Sequence, residues 1–86
     1  MQTQIYYKMK TIFYLFDFKF LFYANDNIHV HVVKKDIHAK FSLSPVRLVQ
    51  NNGLDTNEIN KIMKVIKNNE ETIAEHWNKY FNNNKR

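Results

Sequence analysis

The chain contains no cysteine, a single glycine and a single proline. Without cysteine it cannot form a disulfide scaffold or a thiolate metal site, and it has no thiol nucleophile. Small secreted domains usually depend on disulfides, so this absence predicts a reducing compartment and a cytoplasmic location. The scarcity of proline and glycine leaves few marked chain breaks, and Pro45 and Gly53 are the clearest of them.

No apolar run approaches the length of about 18 residues that a membrane-spanning helix needs. The nearest candidate lies near the N-terminus, where Lys8 and Lys10 precede the apolar segment 12–16 in the manner of a secretion signal. Asp17 and Lys19 interrupt this segment, and its aromatic content is too high for a signal. We therefore interpret it as a β-strand and expect no membrane partner.

Aromatic and basic residues are abundant. A length of 86 residues allows one domain, and an aromatic content of 15% supports a packed core rather than disorder. The formal net charge of +5 indicates a basic surface. Such a surface fits either a solvated exterior or an acidic partner, which could be nucleic acid or protein.

The first two thirds of the chain are rich in β-branched and aromatic residues, which favour strands. Four strands are predicted, at about 11–15, 18–24, 28–34 and 37–43. Turns are expected near Asp17, at 25–27 and at 35–36. Residues 46–50 could open a short helix after Pro45 or form a fifth strand beside the fourth, and the fifth strand is preferred.

The remainder of the chain predicts one long amphipathic helix. Asp55 can cap this helix, and Glu58 can complete a capping box three residues later. Apolar residues then recur at spacings of three and four, with a gap around Asn69, and they are Ile59, Ile62, Met63, Ile66, Ile73, Trp77, Tyr80 and Phe81. The predicted fold is therefore α+β, with a four- to five-stranded antiparallel sheet covered on one face by a long C-terminal helix.

The domain organisation follows from these elements. We predict an N-terminal extension at 1–8, a single α+β domain at 9–81 and a polar C-terminal tail at 82–86. No internal repeat or linker is found in the sequence.

Several short motifs follow one another in the region from His29 to Phe81. They are HVHV at 29–32, AKFSL at 39–43, PVRL at 45–48, GLD at 53–55, the glutamate pair 70–71 and WNKYF at 77–81. In order and spacing this pattern resembles a family of small bacterial proteins, the domain-of-unknown-function family 4160. The resemblance covers about residues 9–81. The chain departs from the family pattern at Asn27-Ile28, where two prolines are usual, at Phe16-Asp17, where a glycine turn is usual, and at Ser42, where tryptophan is usual.

The resemblance implies a partner rather than a chemistry, because the family has no established activity. Its members are small, are expected in the cytoplasm and are often encoded beside a protein of another uncharacterised family, numbered 2442. That arrangement implies toxin–antitoxin-like pairs. The expected partner is therefore a small protein encoded by an adjacent gene, or a second copy of the chain.

The residues that we single out as a candidate binding face are His29, His31, His38, Lys40 and Arg47. His29 and His31 lie two apart on one strand and therefore share a face. A hairpin around residues 35–36 would bring His38 and Lys40 to that face. Because the helix must cover the other, apolar face, we expect this "histidine face" to be open.

Four interpretations of the histidine face stay open. It can be a solvated surface, a site for a protein partner, a site for nucleic acid bound through lysine and arginine, or a metal or catalytic site. The last ranks lowest, because two imidazoles on one strand are too few for a stable metal site and no residue set has the specificity of a catalytic motif. We expect a non-enzymatic interaction module with no cofactor and no metal. The alternative is a basic RNA- or DNA-binding protein or a ribonuclease-type toxin.

Overall fold

The computed structural model describes residues 9–23 and 28–82. Five strands come first, and they are β1 (Met9–Leu15), β2 (Phe18–Tyr23), β3 (His29–Lys34), β4 (Ile37–Ser42) and β5 (Arg47–Asn52). Two helices follow, α1 (Thr56–Asn68) and α2 (Glu70–Trp77), and then a π-helical turn over Asn78–Asn82. The predicted α+β class is confirmed, and residues 47–50 of the ambiguous region 46–50 belong to a strand rather than a helix. The predicted extension 1–8, the turn at 25–27 and residues 83–86 of the tail lie outside the described residues.

The five strands form one antiparallel sheet in which neighbours in sequence are neighbours in space, in the order β1-β2-β3-β4-β5. Two-residue turns join β1 to β2 at Phe16-Asp17 and β3 to β4 at Lys35-Asp36. Phe16 and Asp17 have φ values of 53° and 66°. Two positive φ values in succession are the pattern of a type I′ turn, whose twist matches that of the flanking strands.

Both edge strands contain one extra residue that interrupts the pairing. In β1 the extra residue is Ile12, because its two neighbours pair with consecutive residues of β2. In β5 it is Val49, which is skipped in the same way opposite β4. Such bulges increase the local twist and disturb the free edge of a strand, so they hinder the addition of a further strand.

One face of the sheet packs against the two helices and forms the core. Side chains alternate along a strand, so Phe18, Phe20 and Phe22 of β2 point to this face together. The fully or nearly fully buried members of the cluster are Phe18, Phe20, Phe22, Val30, Val32, Ala39, Phe41, Leu43, Val46, Leu54, Ile62, Ile66 and Ile73. Each large member contributes about 1.5–3 kcal/mol of burial free energy, which is what holds the helices on the sheet.

The start of α1 is fixed by the predicted capping box. The Glu58 backbone N–H donates to Asp55 Oδ1 at 2.8 Å, and the Asp55 backbone N–H donates to Glu58 Oε1 at 3.0 Å. Two backbone donors that a helix start leaves without a partner are thereby satisfied. This local signal correctly predicted where the helix begins.

The predicted C-terminal helical region is present, but it is interrupted at Asn69. The helix ends at Asn68, and Asn69 adopts φ −120° and ψ 17° before α2 begins at Glu70. The Asn69 side chain donates to the Val65 carbonyl at 2.8 Å, and its backbone carbonyl accepts from Ile73 at 2.9 Å. Asparagine side chains that bond to nearby backbone compete with regular helical geometry, which explains why the break coincides with the gap in the apolar pattern.

Among the described residues, the structure contains no helix with the length and apolar character needed to cross a membrane.

Candidate interaction face

The strand register brings all five predicted residues to the face of the sheet that lies opposite the helices. His31 pairs with Lys40, and His29 pairs with Ser42, which in turn pairs with Arg47. Directly paired residues in an antiparallel sheet point to the same face. These side chains therefore form two neighbouring rows, each of which runs across the strands. His38 belongs to a third row, whose members are Tyr14, Lys19, Val33, His38 and Asn52.

The two histidines of neighbouring strands contact each other directly. His31 Nδ1 lies 3.1 Å from His38 Nε2, and the two rings stack with their centroids 5.4 Å apart and an angle of 21° between their planes. Tyr23 meets the His31 ring edge-on, with centroids 4.4 Å apart and an angle of 86°. His31 is therefore held between a tyrosine on β2 and a histidine on β4.

The centre of the histidine face is buried, which corrects the expectation of an open polar surface. His31 is only 5% exposed, and Leu21, which pairs with it, is 1% exposed. The rings of Tyr23 and His38 cover part of the His31 imidazole, so this histidine is not solvated. His29, His38 and Lys40 are half-buried and Arg47 is exposed. The accessible part of the face therefore consists of partly exposed side chains that surround this buried centre.

The charges of the sheet all have one sign. The five strands contain Lys10, Lys19, Lys34, Lys40 and Arg47 and no aspartate or glutamate. Lys19, Lys40 and Arg47 lie on the histidine face according to the register. A surface with cations and without carboxylates is complementary to an anionic partner.

The groups on this face can form hydrogen bonds and carry charge. Within residues 9–23 and 28–82, no group of three or more histidine, aspartate or glutamate side chains is placed to hold a metal ion. The His31–His38 bond joins one imidazole donor to one imidazole acceptor, and which ring carries the hydrogen depends on the tautomers. The pair can fix the orientation of a ring and present its second nitrogen to a neighbour.

Sequence reasoning did not identify two residues of this face as members of the candidate site. Tyr14 lies in the row of Lys19 and His38 and is 67% exposed. Tyr23 holds His31, as described above. Both could have been found from the predicted turn at Asp17, because that turn fixes which residues of β1 and β2 are opposite each other.

A second polar feature lies where α1 ends and α2 begins. Ser44, in the turn between β4 and β5, contacts Glu70 at the start of α2. A shallow, open depression surrounds this contact, lined by Ser44, Lys67, Asn68, Glu70, Glu71 and Ala74. Its carboxylates set it apart in charge from the histidine face.

Comparison with protein families gives a match. No curated protein and no solved structure matches the chain. A family model described as "Domain of unknown function (DUF4160)" matches residues 17–78, which is more than half of the 86 residues. This match includes the HVHV, AKFSL and PVRL segments and thus the histidine face. The resemblance found in the sequence motifs is therefore confirmed, and the chain belongs to the domain-of-unknown-function family 4160.

Proposed function

We propose that this protein is a non-enzymatic interaction module that binds a small acidic protein, encoded by an adjacent gene, through its histidine face. The observation that carries the proposal is the charge of the sheet. Lys19, Lys40 and Arg47 surround the histidines, and no strand contributes a carboxylate. A surface on which the strands contribute charges of one sign is complementary to a partner of the opposite charge.

The residue types on the face favour a protein over other anionic partners. Protein interfaces are enriched in tyrosine and arginine and combine a dry centre with a polar rim. Here Tyr14 and Arg47 are exposed, and they lie beside Leu21 and His31, which are already buried within the protein. Among the described residues, the helices occupy the other face of the sheet, so a partner would contact the sheet through the exposed side chains of the histidine face.

The edges of the sheet are less suited to binding than its face. Ile12 and Val49 each interrupt the pairing of an edge strand, so neither β1 nor β5 offers a regular ladder to an added strand. This argues against self-association by strand pairing. A side-chain contact on the histidine face is the mode of binding that we favour.

The alternative is a nucleic-acid-binding protein or a ribonuclease-type toxin that uses the same cations. Binding of single strands relies on exposed aromatic rings for base stacking and on a groove of exposed cations. Tyr14 is exposed, but Tyr23 is half-buried with its ring engaged against His31, and Lys19 and Lys40 are also half-buried. These features fit base stacking less well than they fit a protein interface.

The proposal is tested by mixing the protein with the purified product of the adjacent gene at about 10 μM and measuring co-elution by size-exclusion chromatography. The decisive variant combines Lys19→Gln, Lys40→Gln and Arg47→Gln. Its matched control combines substitutions of the same charge change on the exposed side of α1, and they are Lys61→Gln, Lys64→Gln and Lys67→Gln.

We expect the wild type and the α1 control to co-elute with the partner and the histidine-face variant to elute alone. Thermal unfolding of all three proteins verifies that each variant is folded. Separate elution of the wild type and the neighbouring gene product would reject the proposal. Loss of the complex in both variants would show that net charge, not this face, drives association.

A further inference from the structure

The tip of the first hairpin is an exposed apolar cluster. Among the residues that the structure describes, four large apolar side chains are exposed, and three of them are the consecutive residues Tyr14, Leu15 and Phe16. We call these three residues the hairpin tip. Leu15 is 38% exposed and Phe16 is 44% exposed, and none of the three belongs to the buried core cluster. Contiguous apolar surface of this kind is typical of an interaction site.

The backbone of Phe16 supports the same interpretation. Its φ is 53°, in the left-handed region where glycine and asparagine are the usual residues and a bulky residue is strained. Because the ring is exposed, burial offsets little of this strain. Strained residues that add little to stability cluster at binding and catalytic sites, where the side chain is needed for function. A contact with a partner therefore explains why phenylalanine occupies this turn.

Cations lie beside the hairpin tip on both sides of the sheet. Lys19 pairs with Tyr14 and lies on the histidine face. On the helix side, Lys61 of α1 places its Nζ 4.7 Å from the centroid of the Phe16 ring. Asp17, next to Phe16 in the turn, contributes one carboxylate at the apex. The surface that complements the tip is an apolar pocket with acidic side chains on its rim.

We propose that the hairpin tip inserts into an apolar pocket of the acidic partner, with Phe16 as the anchor and Lys19 and Lys61 against carboxylates at the pocket rim. This inference rests on the proposed function and extends its contact surface from the histidine face to the end of the sheet. A second copy of the chain fits less well, because its own formal net charge is +5. A membrane fits less well, because insertion of the tip would carry the Asp17 carboxylate into the lipid.

The first test measures affinity for the neighbouring gene product by isothermal titration calorimetry, together with thermal unfolding. We expect Phe16→Asn to bind at least about tenfold more weakly while unfolding at a temperature no lower than that of the wild type, because asparagine tolerates the left-handed region. A merely structural role would lower affinity and stability together. Phe16→Tyr keeps the ring and should stay within about threefold of the wild-type affinity. Val49→Asn replaces an exposed apolar residue on the opposite edge strand and should bind as the wild type does.

The second test probes the hairpin tip without the natural partner. Carboxymethylated cyclodextrin is an apolar cavity with carboxylates on its rim, and methylated cyclodextrin is its uncharged control. We expect the charged probe to shift the NMR signals of the Phe16 ring and to bind at least about threefold more tightly than the uncharged probe. This preference should disappear in the double variant Lys19→Gln, Lys61→Gln. It should persist in Lys64→Gln, Lys67→Gln, which makes the same charge change further along α1.

The outcomes separate this inference from the proposed function. If the complex forms and Phe16→Asn binds as tightly as the wild type, the tip contact is wrong although the proposed function stands. If Phe16→Asn loses the complex while Lys40→Gln, Arg47→Gln retains it, the tip contact stands and the histidine face is not the interface.

Two further results concern other occupants of the tip. If the neighbouring gene product does not bind, preference of Phe16 for the charged cyclodextrin supports the inference with a different acidic protein, and equal binding of both probes overturns it. Co-sedimentation with vesicles of phosphatidylglycerol that Phe16→Asn abolishes would identify a lipid surface and overturn it. Concentration-dependent dimerisation that Phe16→Asn abolishes would identify a second copy and overturn it likewise.

Discussion

Ser44 donates two hydrogen bonds to a single oxygen of Glu70. Its backbone N–H and its hydroxyl each lie 2.9 Å from Glu70 Oε2. Ser44 has a φ of 55°, in the left-handed region, so the turn between β4 and β5 needs a partner that holds it. Glu70 provides that partner from the first turn of α2 and thereby fixes the second helix against the sheet.

We expect Glu70→Ala to lower the free energy of unfolding by about 1 kcal/mol, because it removes two hydrogen bonds to a charged acceptor at a partly exposed site. Glu70→Gln should retain part of this stability, since its amide oxygen can accept the same bonds. Urea denaturation followed by circular dichroism measures the change. Glu71→Ala, which alters the exposed neighbour, should stay within about 0.5 kcal/mol of the wild type. Equal effects of the two alanine variants would show that Glu70 has no special role.

Local signals in the sequence were sufficient for most of the fold. The alternation of Phe18, Phe20 and Phe22 predicted the apolar face, and the spacing of Asp55 and Glu58 predicted the helix start, because both patterns depend on neighbours within a few residues. The Ser44–Glu70 contact could not be predicted in this way, since it joins residues 26 positions apart.

The sequence was sufficient to predict which residues share the histidine face, but not how deeply each is buried. His29 and His31 occupy equivalent places in the HVHV segment, so no local pattern distinguishes their burial. Their environments differ because Tyr23 and His38, from two other strands, enclose His31. Burial of this kind depends on the register of several strands, and register is a property of the whole sheet.

Gly53 occupies a position that other residues can adopt only with strain. Its φ is 113°, and an added Cβ would lie 3.0 Å from Ile37 Cγ1. We expect Gly53→Ala to lower the free energy of unfolding by about 1–3 kcal/mol, measured by urea denaturation. Combining it with Ile37→Ala should not restore the stability of the single variant Ile37→Ala, because the backbone strain persists. Asn52→Ala, at the exposed preceding position, is the control and should have a small effect.

The turn between β1 and β2 is not optimised for its backbone geometry. Phe16 is a bulky residue at φ 53°, and Asp17 follows at φ 66°. Asparagine and glycine are the residues that type I′ turns favour at these two places. We expect the double variant Phe16→Asn, Asp17→Gly to raise the free energy of unfolding by about 0.5–1 kcal/mol. Thermal and urea unfolding measure the gain.

The second hairpin offers a matched control for this prediction. In the turn of this second hairpin, Lys35 has a φ of 53°, whereas Asp36 does not have a positive φ. Asp36→Gly should therefore give no stabilisation, since glycine there only increases the freedom of the unfolded chain. If Asp36→Gly stabilises the protein as much as the double variant of the first turn, relief of backbone strain is not the cause.

Trp77 anchors the end of α2 on the sheet. Its ring meets Phe22 edge-on at 5.4 Å and lies 4.6 Å from the ring of Phe81. Trp77 is half-buried, so we expect Trp77→Ala to lower the free energy of unfolding by about 2–3 kcal/mol, somewhat below the loss for a fully buried aromatic residue. Trp77→Phe should retain more than half of that contribution. Circular dichroism is the appropriate probe, because Trp77 is the only tryptophan. A loss no larger than that of the exposed control Glu75→Ala would show that the helix end is held in another way.

The charge of the histidine face predicts how association depends on salt. On the proposed function, Lys19, Lys40 and Arg47 attract the acidic partner before contact, and screening shortens the range of this attraction. We expect the association rate with the neighbouring gene product to fall about tenfold between about 50 mM and about 300 mM NaCl, as measured by stopped-flow fluorescence. The variant with all three cations replaced by glutamine should start from a slower rate and change little with salt. The matched variant at Lys61, Lys64 and Lys67 should keep most of the wild-type dependence, because those cations lie on the exposed side of α1. Salt dependence that is equal in both variants would mean that the net charge of the chain, and not the arrangement on this face, steers the encounter.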